Sequence, residues 1–390
     1  MTTRRAGAMV MAVLLSGVVI GAAVQGGTAA VVHGAVPPGY TVVNTRIIGP
    51  TGRQFIPYGF VVECMSFSLP VNQLCTGHDP HTNQTGWATV LSAGTTWNAN
   101  VIRFQVAQEN LFGGPRGAVD PAYVALMDGL VNEANGLGMV AIMTLQERNQ
   151  TGQAGPTSSS TTFWQWMAGH YAANPKVMFD LFNEPYGLGT FRTQLQTWDT
   201  WQKGNTAYVG MQSLVDTIRS AGAANVVVAE GPDHDQDLSL VMSHLLSGGN
   251  IAYGFEPNLD SNGIADGSGD DRTQADQFIR FGQFAGRLAL MPEAFVDYYG
   301  SAHCDPQSPH DVRPLFDYLN SLQLGLISFS LDPGEDARNN ALDTPTSTSG
   351  WGVAPWSAAL CPAHPTVHQP LTNFGPGVFV LVDFAQSVKQ

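Results

Sequence analysis

Residues 177–185 read Val-Met-Phe-Asp-Leu-Phe-Asn-Glu-Pro and give the clearest indication of the fold. Val177–Phe182 is almost continuously apolar, which is the pattern of a parallel strand buried on both faces. Pro185 cannot donate to a strand ladder, so the strand must end before it. Asn183 and Glu184 therefore follow a buried strand directly. In a barrel this is where catalytic groups lie, although a Glu here can also simply cap the next helix.

Seven further short runs share this apolar, β-branched character, and helical patterns separate them. Asp120 and Pro121 are typical of a helix start, and apolar residues at helical spacing follow as far as Leu130. Eight strands alternating with helices predict an α/β protein with a single (β/α)8 TIM barrel. A doubly wound open sheet is the alternative, but no Gly-rich phosphate loop follows an early strand. The other predicted strands are Phe55–Val62, Val101–Phe104, Val140–Leu145, Val226–Ala229, Ala252–Phe255, Leu288–Met291 and Gly325–Ser330.

The composition excludes several classes of protein. Of 390 residues, 44% are apolar and only 12% are charged, which is typical of a folded chain with a large core. The formal charge of −14 disfavours nucleic acid and anionic lipid as partners.

The first thirty residues have the features of a secretory signal peptide. Arg4 and Arg5 precede an apolar run from Ala8 to Val24, and small residues around Ala30 suit a signal peptidase. An uncleaved membrane anchor is the alternative. We expect residues 31–390 to form the catalytic domain, extracellular and without a membrane partner, because no later run reaches about 18 apolar residues.

The four cysteines fit an exported protein, in which disulfides form. Four cysteines allow three pairings. Because Cys64 and Cys75 are close in sequence, we expect them to pair, which leaves Cys304 to pair with Cys361. None has the C-x-x-C spacing of a zinc or redox site, and we expect no metal.

A second glutamate follows an apolar strand in the same way. Leu288–Met291 is followed by Pro292 and Glu293. In a closed barrel this is the seventh strand and the one before Glu184 is the fourth, so the two glutamates face each other across the mouth. Carboxyl groups about 5–5.5 Å apart are the arrangement of a retaining glycosidase.

These residues resemble glycoside hydrolase family 5, the cellulase family, over most of residues 40–360. Arg103 on the second strand, Asn183-Glu184-Pro185 after the fourth and Glu293 after the seventh carry the resemblance. The sequence Ser-Phe-Ser-Leu-Asp-Pro-Gly at residues 328–334 is also similar to the family's ending.

The resemblance implies a role for each matched residue. Glu184 would be the general acid and then the general base, and Glu293 the nucleophile. Asn183 would hydrogen-bond the sugar 2-hydroxyl, and Arg103 would hold the nucleophile ionised. No cofactor is implied.

The chain departs from the family pattern at the places that bind sugar. Gln146 stands where a His is usual, and Glu256 and Asn258 replace a His-x-Tyr pair. Phe329 replaces a Trp that stacks on the substrate, and Tyr298, or the Tyr beside it, is a candidate to replace the lost Tyr.

Two other groups have open interpretations. Trp198 and Trp201 are candidates for stacking on sugar rings, or they pack a loop onto the barrel. Asp233-His234-Asp235 follows the fifth strand and has the residues to hold a metal or reach a hydroxyl, although a polar loop at the barrel mouth is the favoured interpretation.

Together these features predict a secreted, monomeric O-glycosyl hydrolase that cleaves a β-linked polysaccharide or oligosaccharide with retention. An endo-β-1,4-glucanase is the default that the resemblance implies. A β-mannanase, another β-glycosidase of the family and a carbohydrate-binding barrel of weak activity are the alternatives, because of the substitutions at the sugar-binding positions.

Overall fold

The described part of the chain forms ten strands, eight of which build a barrel. The computed structural model describes residues 39–75, 86–95, 99–113, 117–147, 153–186, 188, 194–235, 237–256, 284–295, 319 and 321–329. The strands are β1 (Thr41–Val43), β2 (Arg46–Ile48), β3 (Tyr58–Val62), β4 (Val101–Ala107), β5 (Val140–Gln146), β6 (Val177–Asp180), β7 (Val227–Ala229), β8 (Ile251–Phe255), β9 (Leu290–Phe295) and β10 (Leu326–Phe329).

Strands β3 to β10 pair in chain order, all in parallel, and β10 then pairs with β3. This last pairing joins the two ends of the sheet, so no strand of the eight is left with an open edge. The predicted (β/α)8 barrel is confirmed, and the open doubly wound sheet is wrong because such a sheet has two edge strands.

Six helices accompany these strands in the described residues. They are α1 (Gly86–Thr95), α2 (Gln108–Leu111), α3 (Pro121–Gly136), α4 (Ser158–Tyr171), α5 (Gln194–Lys203) and α6 (Met211–Ser220), with 3-10 turns at Cys64–Ser66 and Val241–Ser243. Their apolar faces are buried; in α6 these are Met211, Leu214, Val215 and Ile218. Within the described part of the chain, none of the helices has the length and apolar character needed to cross a membrane.

Alternate residues of each strand fill the barrel. One buried apolar cluster takes a member from all eight strands: Val61, Val101, Val140, Ile142, Met178, Val228, Ala252, Met291 and Ile327 belong to it. Because side chains alternate between the two faces of a strand, these residues point inward and their neighbours point to the helices. The lower barrel is therefore a packed core.

The hairpin of β1 and β2 closes the barrel at the amino-terminal ends of its strands. Ile47 is buried in the inner apolar cluster, and the Val42 N–H donates to Asn250 Oδ1 at 3.0 Å, just before β8. Arg46 Nη1 donates to the Leu322 carbonyl at 2.8 Å, before β10. The opposite, carboxyl-terminal end is left for the site.

The Cys64–Cys75 disulfide is present, as the sequence predicts. It links the 3-10 turn after β3 to a residue 11 positions later. Cys304 and Cys361 lie outside the described residues, and so do residues 1–30, so that pairing and the signal peptide stay predictions.

Helix α3 begins as its sequence predicts. Asp120 Oδ1 accepts the N–H groups of Ala122 at 2.8 Å and of Tyr123 at 3.3 Å, and Pro121 occupies the first turn, where no N–H is needed.

We expect Asp120→Ala to lower the free energy of unfolding by about 1 kcal/mol, because two backbone N–H groups lose their acceptor. Urea denaturation measures the change. Asp120→Asn is the control, because its amide oxygen still accepts; equal losses in both variants would mean that the charge, rather than the cap, stabilises the helix.

Candidate functional site at the carboxyl ends of the barrel strands

A polar layer lies directly above the apolar core of the barrel. Arg103, Thr144, Asp180 and Glu230 each follow an inward-facing apolar residue by two positions, so they also point inward. All four are buried. The sequence predicted all eight strands but not all of their ends: β4 continues to Ala107 and carries Arg103 in its middle. Glu293, predicted to follow a strand that ends at Met291, lies within β9, which runs from Leu290 to Phe295.

The guanidinium of Arg103 organises this layer. Its side chain is 2% exposed. Its Nε and Nη2 donate to Asp180 Oδ2 at 2.9 and 2.7 Å, and Nη2 also donates to Glu230 Oε1. Thr144 Oγ1 adds a hydrogen bond to Asp180 Oδ2 at 3.1 Å. A buried charge is tolerated only when it is paired and hydrogen-bonded in this way.

The amide of Asn183 is oriented by the same network. Its Oδ1 accepts from Arg103 Nη2 at 2.9 Å and from Gln105 Nε2 at 3.3 Å. The backbone N–H of Asn183 donates to the Leu145 carbonyl at 2.9 Å, which ties the end of β6 to β5. With its oxygen directed at the guanidinium, the NH2 group of Asn183 is directed away from it.

Glu184 stands at the mouth in an unusual backbone conformation. Its φ of +48° lies in the left-handed region that side chains other than glycine seldom adopt. Its N–H donates to Glu230 Oε2 at 2.6 Å. Its carboxyl side chain is 31% exposed, and Oε2 lies 3.6 Å from His234 Nδ1. The backbone of Glu184 is thus hydrogen-bonded to the buried polar layer, while its carboxyl group reaches solvent.

Tyr186 and His234 flank this carboxyl group. Their rings are stacked, with centroids 4.6 Å apart and planes inclined by 8°. The pKa of Tyr186 is raised, first by partial burial and then by the nearby Glu147 carboxylate, the Tyr208 phenol and Glu184. The mouth is therefore acidic around Glu184.

The loop after β7 carries His234. Asp233, His234 and Asp235 have φ values of 65°, 54° and 57°, three left-handed residues in succession. The buried Asp235 holds the loop, because its Oδ1 accepts the Gly231 N–H at 2.6 Å and its carbonyl accepts the Glu256 N–H at 2.9 Å. In the described ranges no three His, Cys, Asp or Glu residues are grouped to hold a metal ion.

The other predicted site residues divide into two groups. Gln146 ends β5 and Glu256 follows β8, so both lie at the same end of the barrel as Glu184, and both are buried. For the remaining residues the side chains are not described: Glu293 lies on β9 in register with Ile327, Phe329 ends β10, and Asn258 and Tyr298 lie outside the described residues.

Trp198 and Trp201 are corrected by the structure. They are 0% and 1% exposed, so neither indole face is available to a sugar ring. Trp198 Nε1 donates to Asp237 Oδ2 at 2.9 Å, and Trp201 Nε1 donates to the Glu230 carbonyl at 2.7 Å. They are packing residues of α5, the alternative that the sequence left open.

Sequence reasoning missed Asp180 and Glu230. A signal was present: Asp180 is the one charged residue within the apolar run of β6, and Glu230 directly follows Val-Val-Val-Ala at 226–229. A charge inside a strand that is buried on both faces needs a partner, and Arg103 has the same property on β4.

The chain is similar in sequence to a known family over about half of its length. The sequence model of the cellulase family, glycosyl hydrolase family 5, matches residues 63–265. Endoglucanase EG-II of Hypocrea jecorina is 27% identical over 119 residues, which are 29% of this chain and 25% of that protein. The chain thus spans about a quarter of the length of the curated relative it matches.

Solved structures share the fold at low sequence identity. The catalytic domain of the endoglucanase Cel5A from Thermobifida fusca, in complex with cellotetraose, is 13% identical with a TM-score of 0.59, covering 89% of this chain and 97% of that one. A β-glucanase from Saccharophagus degradans, also in complex with cellotetraose, is 17% identical with a TM-score of 0.59, covering 90% and 92%.

We expect Trp201→Phe to lower the free energy of unfolding by about 2–3 kcal/mol, because the buried Glu230 carbonyl loses its donor and the smaller ring leaves a gap. Denaturant titration measures the loss. Trp166→Phe is the control, since that half-buried indole on α4 stacks on His170; we expect less than about 1 kcal/mol there. A Trp201 variant as stable as the wild type would contradict the packing role.

Proposed function

We propose a function for this chain, which belongs to the cellulase family, glycosyl hydrolase family 5. The proposal is a secreted retaining glycoside hydrolase that cleaves internal β-1,4 bonds of a glucan. One observation carries the proposal: the partly exposed Glu184 carboxyl group stands at the carboxyl end of β6 above the buried Arg103 network. Barrel enzymes place their chemistry at this end.

The proposed reaction is a double displacement. The Glu293 carboxylate attacks the anomeric carbon while the Glu184 proton passes to the glycosidic oxygen; the C–O bond breaks and the leaving sugar departs as an alcohol. Water, giving its proton to Glu184, then hydrolyses the glycosyl ester and restores Glu293. The positions of both glutamates support this pairing, because Glu184 follows the fourth strand of a closed ring and Glu293 lies on the seventh.

The buried network supplies the rest of the proposed site. The NH2 group of Asn183, directed away from the guanidinium, is the proposed donor to the sugar 2-hydroxyl, a bond that strengthens as the oxocarbenium-like state forms. The charge of Arg103 holds Glu293 ionised in this proposal.

Sugar recognition is proposed for the residues around the mouth. Gln146 and Glu256 supply hydrogen-bonding groups at the ends of β5 and β8. Asn258, Tyr298 and Phe329 complete the set. The cellotetraose complexes of the structurally similar Thermobifida fusca and Saccharophagus degradans enzymes support a β-glucan oligosaccharide or polysaccharide as substrate. No cofactor takes part in this proposal.

Export is supported by the features of residues 1–30 and by the Cys64–Cys75 disulfide, since disulfides persist in oxidising compartments. We propose that the protein acts outside the cell as a monomer.

A second candidate is a carbohydrate-binding barrel of weak activity, or a family member with another sugar preference such as mannan. Gln146 and Glu256 favour it, because both stand where the family usually has His. Release of reducing ends from soluble β-1,4-glucan, mannan and β-1,3-glucan separates these functions. Release of reducing ends from β-1,4-glucan supports the proposal. Binding of a polysaccharide without release of reducing ends supports a carbohydrate-binding barrel.

We expect Glu184→Gln and Glu293→Gln each to lower turnover by about 10³-fold or more, because each removes a group that acts in both steps. Glu133→Gln, a half-buried glutamate on α3, is the matched control and should leave turnover unchanged. Wild-type turnover in either site variant would remove that residue from the mechanism.

We also expect proton NMR of the first product to show the β-anomer before mutarotation, because two inversions at one carbon give net retention. An α-anomer formed first would contradict the double displacement.

A further inference from the structure

Glu230 is a buried acid to which the proposed reaction gives no part. Its side chain is 4% exposed, and it stands immediately after β7, one strand away from Glu184. Its two carboxyl oxygens have different partners: Oε1 accepts from Arg103 Nη2, and Oε2 accepts the Glu184 N–H at 2.6 Å. The carboxylate therefore bridges the central cation and the backbone of the proposed acid.

The backbone at Glu184 needs such a support. A positive φ in a residue with a side chain is strained and persists only where the surroundings enforce it. Pro185 adds a restriction, because a proline limits the conformations of the residue before it. The hydrogen bond from the Glu184 N–H to a carboxylate is charge-assisted and stronger than a neutral one.

We propose that Glu230 is a positioning residue for Glu184: its carboxylate fixes the left-handed backbone that directs the acid at the glycosidic oxygen. This inference rests on the proposed function of Glu184 as acid and base. General acid catalysis requires the carboxyl group to lie within hydrogen-bond reach of the leaving oxygen, so a small rotation of the backbone is costly.

Glu230 is itself held on two sides. The Trp201 indole N–H donates to its carbonyl at 2.7 Å. Gly254 on β8 packs against its side chain so closely that an added Cβ would lie 2.7 Å from Glu230 Cγ. A larger residue at position 254 therefore has to push Glu230 out of its place.

Only a carboxylate serves both partners. Arg103 and the Glu184 amide are both donors, so both facing oxygens must accept. In Glu230→Gln one oxygen becomes an NH2 group that meets another donor, and one contact is lost. Asp180 still pairs with Arg103 in this variant, so the cation keeps a buried counter-charge.

The test compares leaving groups. We measure kcat/KM of wild type, Glu230→Gln and Asp237→Asn on phenyl β-cellobioside and on 2,4-dinitrophenyl β-cellobioside. The phenyl leaving group needs a proton from Glu184, whereas dinitrophenolate departs without one. We expect Glu230→Gln to lower kcat/KM on the phenyl substrate by about 10- to 100-fold and on the dinitrophenyl substrate by less than about threefold.

Asp237→Asn is the matched control because Asp237 is also a buried acid after β7, but its oxygens accept from Trp198 Nε1 and the Ser239 N–H. We expect its two kcat/KM values to stay close to those of the wild type. If Glu230→Gln does not fold, Gly254→Ala displaces the same carboxylate without removing it, and the same difference between the two substrates is expected.

Equal losses of kcat/KM on both substrates overturn the inference. They would mean that Glu230 supports the fold as a whole, or that it acts on the nucleophile through Arg103. No loss on either substrate also overturns it. If the wild type cleaves neither substrate, the proposed function fails and the inference fails with it.

Discussion

The guanidinium of Arg103 and the carboxylates around it form the interaction on which the upper half of the barrel depends. An unpaired cation at this depth would cost several kcal/mol, a large part of the stability of a domain, so Asp180 of β6 and Glu230 after β7 converge on it. Asn183 and the Glu184 N–H are hydrogen-bonded to the same network, Asn183 to Arg103 and the Glu184 N–H to Glu230. The position of the exposed carboxyl group thus follows from the pairing of a charge inside the barrel.

Short patterns in the sequence predict much of this architecture. The continuous apolar runs predicted all eight barrel strands, since strands buried on both faces admit little else. Asp120-Pro121 predicted the start of α3, and closeness in sequence predicted the Cys64–Cys75 disulfide. Glu184 was found because a proline stops its strand at the edge where barrels carry out chemistry.

The remaining features depend on contacts between strands, and these contacts cannot be inferred from the sequence of a single segment. Asp180 and Glu230 are far apart in sequence, and only the parallel register of β6 and β7 brings them to one guanidinium. Trp198 and Trp201 have side chains of the kind that stacks on sugar rings, but the position of α5 buries them. An aromatic residue gives no indication in the sequence of whether its face is covered.

The pairing of β10 with β3 has a consequence for folding kinetics. It joins Leu326–Ser328 to Tyr58–Phe60, strands separated by most of the domain, so the ring cannot be completed until β10 has been synthesised. Contacts of such high sequence separation slow the folding of a domain and expose unpaired strand edges in the meantime. A chain that still lacks β10 therefore leaves one edge of β3 and one edge of β9 unpaired.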